Sequence, residues 1–360
     1  MNKPNGVLVI PSLNPDERLV AVVDGVKDYF DDIIVVNDGS DDDAFFMQIK
    51  SVLGEKLHYL IHEKNRGKGS ALKTAFSYYK TSGLINRYYG VITADGDGQH
   101  STSDIIMLDK NLGENHVRAL HIGIRDLSSK VMPFRSKFGN KINAFLFRYM
   151  YGVKVQDTQS GLRAMSNDTI DWLIRLRGER FEYEMQMLIG TKDAKVRIIE
   201  HPIETKYEEQ HKSHFKTISD SYRVTKVLFS GMAKFIFAAL IAGIFDIGLF
   251  YFIDYVIIGN RLFASISLLI STVVSRTVSS IANFFVNRFI TFAGKKASKS
   301  SVLRYYALWL GQMASSYGLV LLISSLLGGG EIFVKLFVDL VLSLLSYKIQ
   351  QVWVFGGKNE

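Results

Sequence analysis

Beyond Gly231 the chain changes character. Four apolar stretches follow one another, at about 234–258, 262–288, 303–327 and 331–355. Each is long enough to cross a hydrocarbon core about 30 Å thick. Lipid offers no partner to a backbone N–H or C=O, so apolar runs of this length must satisfy those groups internally, as helices. The joints at 258–261 and 327–331 are short. The joint between the second and third runs carries Arg288, Lys295, Lys296, Lys299 and Arg304. Such a basic loop stays on the cytoplasmic side, and an even number of spans then leaves both termini there.

The second and fourth runs end alike. One closes on Asn283-Phe284-Phe285-Val286-Asn287-Arg288-Phe289, the other on Ser346-Tyr347-Lys348-Ile349-Gln350-Gln351-Val352. The match predicts two duplicated hairpins. Asp246, Asp254, Arg276, Lys335, Asp339 and Lys348 fall within the apolar runs. Ionic groups there are costly in lipid and must face protein, water or headgroups. Asp254, Lys335 and Lys348 lie near span ends and can snorkel. Asp246 and Arg276 are the candidates for a buried pair or a lipid-phosphate contact.

Residues before about 230 read differently. Val7–Ile10, Ile33–Val36, Leu57–Ile61 and Val91–Ala94 are short apolar runs of strand type. Helical spacing lies between them, over residues 18–30, 42–54 and 67–80. Alternating strands and helices predict a mostly parallel sheet covered on both faces. In such sheets ligands bind at the carboxyl ends of the strands. Met1–Val9 lacks the basic start and long apolar core of a signal peptide, so this half is expected in the cytoplasm. Lys216–Lys234 mixes apolar and basic residues and predicts an amphipathic helix at the membrane interface. The expected organisation is 1–215 catalytic, 216–232 interfacial and 233–360 membrane.

Lys plus Arg exceed Asp plus Glu by 43 to 35, a formal charge of +8. That balance suits a phosphate-bearing ligand or an anionic membrane. No nucleic-acid motif accompanies it, so no nucleic-acid partner is expected. The absence of cysteine excludes disulfides and thiolate metal sites.

The unusual polar residues stand where strands end. Asn37-Asp38-Gly39-Ser40 follows the second strand; Asp38 can meet a base or ribose, or serve as turn chemistry. Asn65-Arg66-Gly67-Lys68-Gly69-Ser70 precedes a helix and either meets phosphate or packs as a loop; it lacks P-loop spacing. Asp95-Gly96-Asp97-Gly98-Gln99-His100 follows the fourth strand, and two carboxylates one residue apart can grip a hard divalent cation. Asp157, in Asp157-Thr158-Gln159-Ser160-Gly161-Leu162-Arg163, can act as a base, a positioning group or a cap. His211 and His214 lie near Glu208 and Glu209, without the further ligands of a metal site.

In this order, together with Pro11, Asn14, Arg125 and Ser136-Lys137-x-Gly139-Asn140, these pieces resemble the family 2 inverting glycosyltransferases. More narrowly they are similar to the dolichyl- and undecaprenyl-phosphate sugar transferases, over roughly residues 5–225. The later residues resemble the GtrA-like membrane domain. The resemblance implies an α/β GT-A fold, a Rossmann-like nucleotide-binding domain, followed by an all-α four-span transmembrane domain. It implies a nucleotide-sugar site at Pro11, Asn14, Glu17, Asp38, Gly39, Lys68, Asp95 and Gln99. The family usually has an acid directly after Asn14; here Pro15 stands there, and Asp16 or Glu17 is its substitute. Asp95 and Asp97 match the metal pair, for Mg²⁺ or Mn²⁺. Arg125, Arg135, Lys137, Arg163 and Lys212 would face donor or lipid phosphate, with 207–215 as a loop over the site. Asp157 matches the proposed catalytic base.

The implied reaction moves one sugar from a nucleotide-sugar, by preference a uridine one, to polyprenyl phosphate with inversion. A bacterial plasma membrane, undecaprenyl phosphate and a homo-oligomer are expected. A processive polysaccharide synthase is the first alternative, but it would carry Gln-x-x-Arg-Trp before its spans, and this chain does not. A lipid-linked sugar translocator or scaffold is the second, against which the intact Asp95, Asp97 and Asp157 speak.

Overall fold

The computed structural model describes residues 4–125, 144–204, 217–258, 264–292, 300–327 and 331–356. The chain divides into two compact units, Met1–Leu228 and Phe229–Glu360. The first unit runs β1 (Gly6–Ser12), α1 (Glu17–Val26), β2 (Ile33–Asn37), α2 (Ala44–Leu53), β3 (Leu57–Ile61), α3 (Lys68–Thr81), β4 (Gly90–Thr93), α4 (Thr102–Glu114) and β5 (Ala119–Arg125). It continues with β6 (Arg163–Ser166), α5 (Ile170–Arg175), α6 (Glu182–Gly190) and β7 (Arg197–Ile203).

The seven strands form one sheet in the order β3-β2-β1-β4-β6-β5-β7. Only β6 runs against the others. Val7–Ile10 and Ile33–Val36 are wholly buried, which is why they read as unbroken apolar runs rather than alternating ones. Leu8 pairs with Ile33 and Ile10 with Val35. On α1, Leu19, Val22, Val23 and Val26 form the face that joins this core. Asp16 starts that helix, its side chain accepting the Arg18 N–H at 3.0 Å. Strand order reverses beside β1, with β2 on one side and β4 on the other. That switch point opens a crevice at the carboxyl ends of β1 and β4, the default ligand seat of such sheets.

The C-terminal helices are α7 (Thr217–Tyr251), α8 (Ala264–Val286), α9 (Ser301–Leu327) and α10 (Glu331–Ile349). Among the described residues, two segments pass as membrane spans by length and composition, Phe229–Tyr251 and Ser301–Leu327. α7 is continuous through the residues expected to lie on the interface.

The duplication read from the sequence reappears as repeated contacts. α8 and α10 each end in a π-helical turn, Asn287–Thr291 and Gln350–Val354. Each turn closes through equivalent bonds, Phe292 N–H to Asn287 O and Phe355 N–H to Gln350 O, both at 2.8 Å. The aromatic contacts pair off in the same way. Phe235–Tyr347 (5.4 Å, 65°) matches Tyr305–Phe284 (5.3 Å, 71°), and Phe284–Phe355 matches Tyr347–Phe292, both with centroids 5.6 Å apart. A polar contact also recurs between the helices of each hairpin. Asp246 accepts from Ser279 at 3.1 Å and stands 3.9 Å from Arg276. Ser316 donates to Asp339, which also pairs with Lys335 at 2.9 Å. Of the two expectations, a buried pair or a lipid-phosphate contact, the protein does not bury this pair, since Arg276 is well exposed. The Asp254 side chain lies outside the described residues.

Candidate functional site

The loops after β1, β2, β3 and β4 meet at the switch point. Asn14, at a left-handed φ of 44°, latches two of them together. Its N–H donates to Ser40 Oγ at 2.8 Å and its side-chain amide to Asp41 at 3.0 Å, while Asp41 N–H returns a bond to Asn14 Oδ1 at 2.8 Å. Pro11 stands near the end of β1, opposite Val36. Glu17 is exposed in the first turn of α1, and Asp16 is engaged by Arg18 at 2.6 Å.

Asp38 faces inward. Its carboxylate accepts the N–H groups of Arg66 (3.0 Å) and Gly67 (2.7 Å) and meets His62 Nδ1 at 2.6 Å. His62 Nε2 in turn meets Thr74 Oγ1 at 2.9 Å. The sequence pointed Asp38 at a base or ribose. Here it is 3% exposed and holds the loop between β3 and α3, satisfying two backbone donors. Gly39 makes the same approach possible. At its φ of 76° a Cβ would stand 2.3 Å from the Lys64 carbonyl carbon.

That clamp fixes where α3 begins, and hence Lys68. Lys68 Nζ lies 2.6 Å from Asp95 and 2.9 Å from Glu184 on α6. Burial draws the ammonium pKa down, but the Asp95 and Glu184 charges overturn that and hold it well above the ordinary lysine value. Burial likewise pushes the Asp95 carboxyl up, and Lys68, with His100, holds it far below the usual range. Asp97 behaves oppositely. Burial, then the Asp95 charge beside it, raises its pKa. Gln99 donates only its main-chain N–H, to Asp97 at 3.1 Å.

Two neighbouring carboxylates of which one resists ionisation are a fitting seat for a hard cation. Among the described residues no group of three or more His, Cys, Asp or Glu gathers to hold a metal. Asp95 and Asp97 are the residues that would hold a divalent cation, with other positions falling to water or substrate oxygens, as magnesium or manganese accept.

Asp157 is wholly buried. Arg125 reaches it with Nε (2.6 Å) and Nη2 (2.9 Å), and Gln159 N–H donates to it at 2.9 Å. Burial alone would raise this carboxyl; the Arg125 hydrogen bonds and charge hold it below the ordinary value. Of the roles the sequence left open, base, positioning group or cap, a carboxylate so held is suited to anchoring. Arg125 was expected at phosphate and is here joined to Asp157. Arg163 was likewise expected at phosphate. It is 1% exposed and donates to the carbonyls of Ser160 (2.9 Å) and Glu184 (2.8 Å), so it braces the wall behind the site. Arg135, Lys137 and Lys212, with His211 and His214, lie outside the described residues.

Comparison with known proteins bears on this geometry. Residues 7–170 match the model for glycosyl transferase family 2, and residues 234–355 that for the GtrA/DPMS transmembrane domain. A UDP-N-acetylglucosamine–dolichyl-phosphate N-acetylglucosaminyltransferase of Methanococcus voltae is 31% identical over 221 residues, 56% of this chain and 86% of that one. The chain belongs to glycosyl transferase family 2. The transferase is also 26% identical over 259 residues to a low-salt glycan biosynthesis hexosyltransferase of Haloferax volcanii, covering 68% of this chain and 58% of that one. Both relatives are archaeal. Among solved structures it is similar to mannosyl-3-phosphoglycerate synthase from Rubrobacter xylanophilus, with a TM-score of 0.45, 14% identity, and 64% and 73% of the two chains covered.

Two groups in the transferase escaped the sequence reading. Glu184 lies more than a hundred residues from Lys68 and in the sequence is one acid among several. His62 follows β3 with no motif around it. Gly161 was legible as a motif member but not for its reason: a Cβ there would stand 2.3 Å from Asp95 Oδ2 and 2.9 Å from Lys68 Nζ.

Proposed function

We propose that this transferase moves one sugar from a nucleotide-sugar, by preference a uridine one, onto a polyprenyl phosphate, with inversion. The observation that carries the reading is the Asp95–Asp97 pair with Lys68 at the switch point, in a chain that also holds a membrane domain. The name of the Methanococcus voltae relative supports the class of donor and acceptor. Dolichyl and undecaprenyl phosphate are both admissible, the named relatives being archaeal.

A lipid-phosphate oxygen attacks the anomeric carbon as the bond from that carbon to the nucleoside diphosphate breaks, giving polyprenyl-phosphate-sugar and free nucleoside diphosphate. A divalent cation seated on Asp95 and Asp97 would neutralise the charge growing on the leaving diphosphate. The acceptor, with a second phosphate pKa of about 6, is largely ionised at neutral pH. No strong base is then required, which agrees with an Asp157 held by Arg125. Through that pair, Asp157 positions the end of β5 at Arg125. The apolar stretches form four spans, with the basic 288–304 joint and the catalytic unit on the cytoplasmic side.

The test uses the full chain in detergent with polyprenyl phosphate and a panel of nucleotide-sugars, the lipid being weighed by mass spectrometry. A lipid heavier by one sugar, formed with Mn²⁺ or Mg²⁺ and lost in Asp95→Asn, is the expected result. A ladder of masses would mean a polymerase, and no gain in mass with any donor would refute the reading.

A further inference from the structure

The seat expected to take a metal already faces a cation, the ammonium of Lys68. Its side chain is 13% exposed, and it bridges Asp95 Oδ1 and Glu184 Oε1. The three groups come from three separate elements: the first residue of α3, the loop after β4, and α6. Each is held independently. Gly67, just before Lys68, is tied to Asp38 through its N–H at 2.7 Å. Glu184 is braced at its main-chain carbonyl by Arg163 at 2.8 Å. A Cβ at Gly161 would stand 2.3 Å from Asp95 Oδ2 and 2.9 Å from Lys68 Nζ, so a glycine there leaves the contact undisturbed. The backbone is thus fixed while the lysine keeps four rotatable side-chain bonds.

Charge around the seat points the same way. The carboxyls of Asp95, Asp97, Asp157 and Glu184 gather with Lys68, Arg125 and Arg163, and His100 stands 3.8 Å from Asp95. A divalent cation adds two positive charges to this cluster, the sign that attracts a diphosphate. The cation and Lys68 cannot both claim the Oδ1 of Asp95 at close range. Glu184 supplies the ammonium with a second partner it already touches.

We propose that Lys68 is an exchangeable counter-ion: it neutralises Asp95 in the empty enzyme and yields that carboxylate to the divalent cation. Glu184 then retains the ammonium beside the seat, where it meets the diphosphate of the incoming donor. Lys68 is thus a positioning residue for the empty site and a phosphate contact in the loaded one. This rests on the metal and donor reading above and says nothing of the acceptor.

The two side chains have opposite effects on metal binding, and that is the test. Free Mn²⁺ is followed by electron paramagnetic resonance over detergent-solubilised full chain, with no nucleotide, then with UDP and separately GDP. Lys68→Met removes the competitor and should tighten Mn²⁺ binding in the absence of nucleotide by about tenfold, within the usual range of coupling between ligands. The same variant should lose most of the tightening that nucleotide gives the wild type. Glu184→Gln removes the alternative seat, leaves Lys68 on Asp95, and should weaken Mn²⁺ binding without nucleotide. Lys68→Arg, which keeps the charge, should stay near wild type. A merely structural lysine would loosen the site in both variants, so weaker or unchanged Mn²⁺ binding in a folded Lys68→Met overturns the proposal. If Lys68→Met does not fold, Glu184→Gln decides: binding as tight as wild type overturns it. No lipid enters this experiment, so a failure to form lipid-linked sugar leaves its outcome untouched.

Discussion

Replacing Arg125 with Met separates anchoring from proton transfer at Asp157. The carboxylate is wholly buried, and both of its oxygens receive the guanidinium, at 2.6 and 2.9 Å. Removing one partner of a buried ion pair costs about 3–5 kcal/mol, because a charge is left without its counter-ion. For a unit of 228 residues, about 2–4 °C of melting temperature goes with each kcal/mol, so a fall of about 6–20 °C is expected. The sign with pH follows from the depressed folded pKa. The stabilisation is present above the ordinary aspartate value of about 3.9 and is lost as pH falls through the lower folded value. Arg125→Met should therefore lose its excess cost in acid, where the carboxyl is neutral in both proteins. Replacing both residues with apolar ones, Arg125→Met with Asp157→Leu, should recover most of the loss. The assay is thermal unfolding of the full chain in detergent, with the rate of sugar transfer measured well below the transition. A melting point within about 2 °C of wild type at pH 7 would refute the anchoring argument, being under one kcal/mol for a unit of this size.

Three further outcomes follow from the same geometry. Gly161→Ala places a methyl 2.3 Å from Asp95 Oδ2, and misplacing that group by an ångström should cut turnover by about a hundredfold with little change in melting temperature. Asp97→Asn should abolish Mn²⁺-dependent binding of UDP, read by calorimetry, because it leaves one carboxylate where the seat needs two. His121 and His201 meet at 2.9 Å, and His121 Nε2 must donate to Asn115 O at 3.0 Å, which leaves its Nδ1 to accept from His201. Burial lowers both pKa values, so the unfolded chain binds more protons in mild acid. Stability should fall as pH drops below about 6.5, and His121→Gln should flatten that slope in a melting series.

The sequence showed β1 to β4 and the helices between them, because buried parallel strands are continuous apolar runs and their helices keep a regular face. It also showed that Asp95 and Asp97 end a strand. It did not show β5 to β7, where Ala119–Arg125 mixes His and Gly into the strand and β6 runs backwards. Nor could it show which way Asp38 turns, since its partners are main-chain N–H groups that any residue carries. The Lys68–Glu184 contact is closed by the packing of α6 against α3, a long-range event that leaves no local trace. Arg163 reads as a basic motif residue until its burial is seen.

The paired aromatic contacts of the membrane unit cross between hairpins: Phe284 leans on Phe355, and Tyr347 on Phe292. The buried aromatic cluster draws on both halves of the unit. The aromatic cluster can therefore close only once Phe355, near the end of the chain, has been made. A stop codon placed shortly before that residue should leave a chain that inserts fully and is cleared by membrane proteases.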